Sequence, residues 1–390
     1  MTTWWVSKED LVDEQLAVID LPVDQSHLII GPPGSGKTNL LLLRANFLYL
    51  GPQPSLEIIV FTRSLRDFLA AGAHIYDFPM EKLRTFRGWQ TDLLRRYDIE
   101  HHEPPDETFA EGRHRLNRII REEVIGRLGL RGIYDALLVD ESHDYSPDEV
   151  EAFRTLSRNL YAVADSRQKI YATPDCMAAL KASVDKVVTL KKHFRVAPVI
   201  CRVADEIGRR MGSYEPIEPN SNYDSVKYPP SIEVIRADTV EEQLQGVLER
   251  LDLQIKAYPE DLVGVLCPTN DIADRAWKVL LDSPFAGVSI RQGSGERGFF
   301  GPDARVCVIT IHSAKGLEFR AVHLVAADQI YPNLQLNLAY TAITRAKTAL
   351  AIYHAGSLPG FLDAALRNEL PPKRLPSLSE LFGRRQKGGR

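Results

Sequence analysis

A glycine-rich segment near the N-terminus constrains the fold of this chain more than any other feature. Residues 31–38 read GPPGSGKT, the apolar run 28–30 precedes them, and a helix-forming stretch, 39–50, follows directly. This order of strand, glycine turn and helix is the setting of a P-loop, in which backbone N–H groups at a helix N-terminus converge on phosphates. The segment therefore predicts an α/β domain that binds a nucleoside triphosphate with Mg²⁺.

Individual residues of this P-loop have predicted tasks. Lys37 reaches the β- and γ-phosphates, and the Thr38 hydroxyl is a ligand of Mg²⁺. The other residues that this segment offers to the nucleotide form the turn itself: Gly31, Gly34, Ser35 and Gly36. A chance glycine turn would not explain why a strand precedes the segment and a helix follows it.

A second apolar run supplies a pair of carboxylates. Residues 136–139 (ALLV) lead directly into Asp140 and Glu141. Open α/β sheets bind ligands at the carboxyl ends of their strands, so Asp140 is a predicted Mg²⁺ ligand and Glu141 orients or deprotonates the attacking water. Adjacent acidic residues can instead belong to a helix start, and the sequence SPDE at 146–149 is typical of one.

Length and composition limit the class of protein. The chain has 390 residues, of which 44% are hydrophobic and 26% charged, values typical of a soluble globular protein with two or three domains. No apolar run approaches the ~18 residues of a membrane span, and the N-terminus lacks a signal-peptide pattern, so we expect a cytoplasmic protein without a membrane partner. The four cysteines lack metal-binding spacing, which predicts reduced, packed thiols.

Basic residues are concentrated in one part of a mildly acidic chain. The net charge of −4 is unusual for a protein that coats duplex DNA but is compatible with a local basic groove. Arginines cluster between the two nucleotide motifs, at positions 63, 66, 84, 87, 95, 96, 113, 115, 118 and 121. The last four belong to a predicted amphipathic helix, whose solvated face would also explain them.

Short apolar runs alternate with helical segments along most of the chain, which is the pattern of parallel α/β layers. Besides 28–30, the runs predicted to be strands are 57–61, 136–139, 160–163, 187–190, 232–235, 262–266, 306–311 and 321–325. We expect a domain boundary near 190–200 and a long loop over 215–230. From residue 371 the composition shifts to proline, serine and basic residues, which predicts a flexible tail.

Further segments resemble, in order, the motifs of superfamily 1 helicases of the UvrD/Rep/PcrA type. In the first half they are 11–15 (LVDEQ), similar to the Q motif, 60–64 (VFTRS) to motif Ia, 85–89 (TFRGW) to the T-F-H-S element, 139–144 (VDESHD) to motif II and 164–171 (ADSRQKIY) to motif III. In the second half they are 190–195 (LKKHFR) for motif IV, 310–319 (TIHSAKGLEF) for motif V and 339–347 (AYTAITRAK) for motif VI.

This resemblance implies two RecA-like P-loop domains, each a parallel sheet flanked by helices, with ATP in the cleft between them. The expected N-terminal domain spans residues 1–190 and contains a small helical insertion over 91–133. The expected C-terminal domain spans 191–368, and 369–390 form a basic tail.

The same resemblance implies roles for residues around the nucleotide. Arg195 and Arg345 would stabilise charge on the transferring γ-phosphoryl group, as arginine fingers do, and Gln168 would sense that phosphate. With Lys37 and Glu141 they form the predicted catalytic set. Gln15 would read the adenine, Phe194 would stack on it, and Glu318 would bind the ribose, with Gly316 beside them. Arg345 is expected on a helix through 344–347, where a merely solvated side chain is the alternative.

The resemblance also implies a path for single-stranded DNA. Single strands are held by polar groups that follow the backbone and by aromatic platforms for the bases. The predicted DNA-binding residues are Phe61, Thr62, Arg63, Thr85, Phe86, Trp89, Tyr171 and His312. Aromatic side chains next to strands are also common in cores. For Trp89 the sequence favours neither a DNA contact nor a core position.

The chain departs from the family pattern at four positions. His143 stands where motif II has glutamine, Arg87 where the T-F-H-S element has histidine, Ala164 where motif III has glycine, and His193 where motif IV has asparagine. None of these changes removes a phosphate or Mg²⁺ contact, so they bear on coupling between the sites more than on hydrolysis. The inserted subdomains of the family are short or missing here.

The sequence therefore predicts a DNA-stimulated ATPase that works as a single-stranded DNA translocase or helicase, with 3′-to-5′ polarity implied only by resemblance. RNA is a less favoured substrate. The alternative is an ATPase switch that responds to nucleic acid and regulates a partner protein, such as a nuclease, without unwinding. DNA processing and defence are the expected settings.

Overall fold

The computed structural model describes residues 5, 8–51, 53–72, 75–171, 173–212, 214–293, 298–330 and 336–369, and within them it contains two six-stranded sheets. The first sheet consists of β1 (His27–Ile30), β2 (Leu56–Val60), β3 (Leu83–Thr85), β4 (Tyr134–Val139), β5 (Ser157–Ala164) and β6 (Lys186–Thr189). The second consists of β7 (Ser231–Arg236), β8 (Val263–Cys267), β9 (Ser289–Arg291), β10 (Val306–Thr310), β11 (Phe319–Leu324) and β12 (Ala346–His354).

Helices flank both sheets, as the α/β prediction requires. Those of the first half are α1 (Asp13–Ile19), α2 (Lys37–Leu50), α3 (Arg63–Ala71), α4 (Phe86–Arg96), α5 (Phe109–Ile119), α6 (Pro147–Leu156) and α7 (Met177–Ala182). The others are α8 (Pro198–Gly208), α9 (Val240–Ala257), α10 (Asn270–Leu281), α11 (Leu336–Ile343) and α12 (Gly360–Arg367). None of the helices in the described part of the chain is long and apolar enough to cross a membrane.

The strand order of the first sheet brings the nucleotide motifs together. The order is β3-β2-β4-β5-β1-β6, all neighbours are parallel, and β5 lies between β4 and β1. Because parallel strands end at one edge, the segments that follow β1, β4 and β5 open side by side. Those segments carry the P-loop, the two carboxylates and Gln168.

In the second sheet, one connection runs alongside the strands. The order is β7-β12-β11-β8-β10-β9, again with parallel neighbours, so β8 separates β10 from β11. The connection 311–318 therefore starts at the carboxyl end of β10 and finishes at the amino end of β11. This connection runs the full length of the strands, so residues at its two ends lie near opposite edges of the second sheet.

The two halves share a hydrophobic core where this connection passes the first sheet. Gly316 has φ +83°, a left-handed conformation that favours glycine, and a Cβ atom there would lie 2.5 Å from the Leu65 side chain of α3. Leu65, Ala314 and Leu317 are buried in one cluster. The close approach of backbone to side chain thus needs a glycine at position 316.

All strands predicted from the apolar runs are present, with ends shifted by a few residues. The sequence pattern does not predict β3 and β9, which have three residues each, or β12. The prediction of a helix through 344–347 is wrong, because α11 ends at Ile343 and Arg345 lies in the turn directly before β12. The predicted amphipathic helix consists of α5 and a π-helical segment, Ile120–Arg127.

Other sequence predictions can be compared with the fold. The four cysteines are free and buried. Ser146 caps α6 through a hydrogen bond from Glu149 N, so the helix start at 146–149 coexists with the carboxylates before it. The predicted basic tail from residue 371 lies outside the described residues.

Candidate functional site

The P-loop joins β1 to α2 and presents its backbone toward a cleft between the two halves. Gly36 is the N-cap of α2 with φ +84°, which a residue with a Cβ atom rarely adopts. Lys37 donates from Nζ to the carbonyls of Gly31 at 2.8 Å and Pro32 at 2.9 Å, and burial lowers the pKa of its ammonium. Ser35 is buried and donates to the Pro32 carbonyl at 2.9 Å. A phosphate oxygen would replace carbonyls as the acceptor for Lys37.

The two carboxylates after β4 lie beside the P-loop. The Thr38 hydroxyl donates to Asp140 Oδ2 at 2.9 Å. Burial, and next the neighbouring Glu141, raise the pKa of Asp140 to about 7. Glu141 has φ 48°, a backbone conformation that costs a non-glycine residue on the order of 1–3 kcal/mol.

The second half contributes arginines to the same cleft. Arg345 is 4% exposed, donates to Gln168 Oε1, and holds the carbonyl of Leu317 at 3.0 Å. Arg195 donates to Glu318 Oε2 at 2.7 Å. Although burial opposes its ionisation, the pKa of Glu318 is lowered, chiefly by Arg195. Together the cleft is lined by Pro33, Gly34, Gly36, Lys37, Thr38, Asn39, Glu141, Gln168, Arg195, Gly316, Glu318 and Arg345.

A cavity of about 220 Å³ adjoins this cleft at the predicted adenine position. Gln15 and Phe194 both line it, together with Val12, Gly34 and Gly36. Gln15 is held in place, because its Nε2 donates to the Ser35 carbonyl at 3.0 Å and its Oε1 accepts from Val12 N at 3.3 Å. The structure therefore brings the predicted ATP contacts together from four separate segments, namely Gln15, 31–38, Phe194 and 316–318.

A second depression, the aromatic groove, lies across both halves and has a volume of about 380 Å³. It is lined by Phe61, Thr62, Arg63, Ser64, Thr85, Arg87, Phe109, Tyr171, Gly293 and Ser313. The Phe61 and Tyr171 rings lie 4.5 Å apart, and the exposed His312 ring lies 6.1 Å from Tyr171. The hydroxyls of Thr62 and Thr85 also cap α3 and α4.

Three of the predicted DNA-binding residues do not line this groove. His312 is exposed beside Tyr171, whereas Phe86 and Trp89 are buried. Trp89 is 1% exposed and Phe86 is 3% exposed, and both pack in the core against Phe153 of α6. Their rings face the helix interface because α4 turns its apolar side inward. The structure therefore excludes direct base stacking on Trp89 and Phe86 in this conformation.

Residues that the sequence does not single out complete both sites. Phe109 is 48% exposed in the aromatic groove, 6.4 Å from Phe61, directly after the N-cap Thr108 of α5. A lone phenylalanine in a polar segment at a helix start is the signal that could have identified it. Lys315 is fully buried between the groove and the cleft, a location that only the tertiary structure reveals.

The residues at the cleft fit a divalent cation. Hydroxyl and carboxylate oxygens are the ligands that Mg²⁺ prefers, and Thr38 and Asp140 provide one of each within hydrogen-bonding distance. The raised pKa of Asp140 indicates a buried carboxylate that a nearby positive charge would stabilise as the anion.

Residues 305–353, which contain β10, β11 and most of β12, match the family model of the UvrD-like helicase C-terminal domain. This segment of the chain is similar to the C-terminal domain of UvrD-like helicases. The predicted resemblance is therefore confirmed. A protein of Mycoplasma pneumoniae described as a probable DNA helicase is 26% identical over 241 residues, which cover 55% of this chain and 42% of that protein. The chain thus spans less than half the length of this curated relative.

Two solved structures resemble this chain more distantly. One is the C-terminal domain of a possible DNA helicase from Lactobacillus plantarum, with 21% identity, a TM-score of 0.34, and coverage of 45% of this chain and 96% of that one. The other is the PRRSV helicase, with 17% identity, a TM-score of 0.40, and coverage of 87% and 54%.

Proposed function

We propose that this chain is an ATP-hydrolysing motor that moves along single-stranded DNA. The observation that carries the proposal is that one cleft is lined from both halves, with Lys37 and Glu141 on one side and Arg195 and Arg345 on the other. A nucleotide in such a cleft couples its own hydrolysis to the closing and opening of two bodies. The family match and the relative described as a probable DNA helicase support DNA as the substrate.

In this proposal, the reaction is phosphoryl transfer to water. Glu141 orients and deprotonates the attacking water, and Lys37 binds the β- and γ-phosphates. Arg345 and Arg195 fork onto the γ-phosphate oxygens, where arginine is suited because it stays charged and binds two oxygens. Gln168 senses the γ-phosphate, and its hydrogen bond with Arg345 supports a shared response of the two halves.

We assign the remaining nucleotide contacts on the same grounds. Thr38 and Asp140 would hold Mg²⁺, which neutralises charge on the phosphates when bound. Gln15 and Phe194 bind the adenine, and Glu318 binds the ribose. The P-loop turn (Gly31, Gly34, Ser35, Gly36) and Gly316 shape the backbone around the phosphates.

The aromatic groove is the proposed path of the DNA strand. Phe109 and the half-buried Tyr171 offer ring faces for bases, since base–aromatic stacking is worth ~1–3 kcal/mol per base. Phe61, which is 7% exposed, lies at the floor of the groove and supports both rings. Thr62, Arg63, Thr85 and His312 offer polar contacts to the strand. Phe86 and Trp89 act indirectly, because they anchor α4 against Phe153 of α6.

We also propose the division of the chain at 190/191, with a basic tail over 369–390. It is supported by the strands, since β1–β6 all precede residue 190 and β7–β12 all follow residue 230. UvrD-type 3′-to-5′ polarity rests on the resemblance of the motifs alone.

Translocation along single strands tests the proposal. The purified chain is mixed with oligonucleotides that carry a fluorophore at the 5′ or the 3′ end, and fluorescence is followed in stopped flow after ATP is added. A lag that grows with strand length for the 5′ label alone is expected. The Glu141→Gln variant is the control for binding without turnover. ATPase stimulation without any length-dependent lag would instead favour an ATPase switch that regulates a partner protein.

A further inference from the structure

His143 touches the proposed catalytic carboxylate and has a defined proton position. Its ring is 1% exposed, and Nδ1 accepts a hydrogen bond from the backbone N–H of Asp165 at 3.0 Å. Burial, and next the nearby Lys315, hold the pKa of His143 well below its usual range, so the ring is neutral. A neutral imidazole that accepts at Nδ1 carries its proton at Nε2. That nitrogen lies 3.3 Å from Glu141 Oε2 and donates toward it.

Lys315 approaches the same two groups from the second half of the chain. Its ammonium forms a buried ion pair with Asp144 and donates to the Gln168 carbonyl at 2.6 Å. Lys315 Nζ also lies 2.9 Å from His143 Nε2, but a protonated Nε2 cannot accept, so no hydrogen bond joins these two donors. The ammonium also lies 3.8 Å from Glu141 Oε2. His143 and Lys315 therefore compete for one carboxylate oxygen, and a shift of either changes how the other holds Glu141.

The backbone of Lys315 reaches the aromatic groove. The Thr62 hydroxyl lies 3.4 Å from the Lys315 carbonyl, and the adjacent connection residue Ser313 lines the groove. The Lys315 ammonium lies 5.9 Å from the centre of the Tyr171 ring. A DNA strand bound in the groove could displace residues 311–318. That displacement would move the Lys315 ammonium, which lies 3.8 Å from Glu141 Oε2.

We propose that His143 is a positioning residue through which Lys315 sets the orientation of Glu141, so that occupation of the aromatic groove controls turnover in the cleft. This inference rests on the proposed function. Glutamine, which the resembling family has at this position of motif II, offers one donor for Glu141 and one acceptor for Lys315, and would preserve the link with a different hydrogen-bond pattern.

The test is a double-variant cycle on the full chain, with ATP turnover measured with and without saturating oligo-dT. In His143→Ala and in Lys315→Met, the ratio of stimulated to unstimulated turnover should fall at least about fivefold, within the range of measured coupling. The double variant should fall no further than the single variants. His143→Gln should keep the ratio within about twofold of the wild type, because it retains a donor and an acceptor. His114→Ala, at an exposed position on α5, is the matched control.

Oligo-dT affinity, ATP-analogue affinity and thermal midpoint are measured for each variant. Equal losses of stimulated and unstimulated turnover together with a lowered midpoint would show a structural role and overturn the inference. Additive losses, or full stimulation in His143→Ala, would also overturn it while leaving the proposed function intact. A wild-type chain that no single strand stimulates would overturn both.

Discussion

The nucleotide cleft and the aromatic groove are neighbours that differ in how they are built. In the cleft, Lys37 and Glu141 follow the carboxyl ends of β1 and β4 closely, and Glu318 and Arg345 directly precede β11 and β12. In the groove, the rings of Phe61, Tyr171 and Phe109 come from a strand end, a turn and a helix start. The cleft therefore depends on charge held by a rigid sheet edge. The groove depends on which aromatic faces the surrounding helices leave exposed.

This comparison predicts that single changes in the cleft abolish chemistry, whereas single changes in the groove weaken binding. The largest effect is expected for Arg345→Ala, with turnover lowered by ~10³-fold, the range of arginine fingers. Arg345→Lys should restore little, since an ammonium cannot bind two oxygens at once. The measurement is the steady-state ATPase rate well below the thermal midpoint.

Arg367→Ala, which removes an exposed arginine of α12, is the control for a general effect of charge. Because Arg345 also holds backbone carbonyls, its loss should destabilise the fold by about 1–3 kcal/mol. The ATPase rate is divided by the fraction of folded protein. If this corrected rate equals that of the wild type, Arg345 has a structural role only.

For Glu141→Gln we expect a loss of ~10²-fold or more in turnover, the typical contribution of a general base. Affinity for an ATP analogue should persist, because Lys37, Thr38 and Asp140 are unchanged. Isothermal titration with the analogue and a single-turnover assay separate the two effects. Undiminished turnover would remove Glu141 from the reaction, and Glu151→Gln, an exposed change on α6, serves as the control.

A smaller effect is expected in the groove. Phe109→Ala should raise the dissociation constant for oligo-dT by ~5- to ~150-fold, the equivalent of one lost stacking contact. Unstimulated ATPase should be unaffected. Phe47→Ala is a matched control, because Phe47 is 50% exposed and Phe109 is 48% exposed, but Phe47 lies outside the groove. Equal oligo-dT affinities for Phe109→Ala and Phe47→Ala would show that the DNA strand does not bind in the aromatic groove.

The smallest effect on binding is expected for Trp89→Phe. The ring is in the core, so oligo-dT affinity should change by less than about twofold, while unfolding free energy falls by about 1–3 kcal/mol. Chemical denaturation and fluorescence anisotropy measure the two quantities on the same preparation. A large loss of affinity at unchanged stability would show that α4 opens to expose Trp89.

The sequence by itself determined the class of fold and the nucleotide motifs. Glycines at 31, 34 and 36 between a strand and a helix, and two carboxylates after an apolar run, specify a sheet edge that binds phosphates. The apolar runs located nine of the strands, because buried parallel strands are continuously hydrophobic. Short strands such as β3 bury too few residues to produce an apolar run. Because β12 begins with polar residues, the sequence pattern did not show where α11 ends.

Only the tertiary structure decided which aromatic rings face the groove and what surrounds Glu141. Trp89 and Phe109 are both aromatic residues near helix starts, yet one is buried and the other exposed, because the face that a helix turns inward depends on its neighbours. His143, Asp144 and Lys315 meet across 171 residues of sequence separation. No local pattern encodes such a contact, since it results from the way the connection 311–318 packs against the first half of the chain.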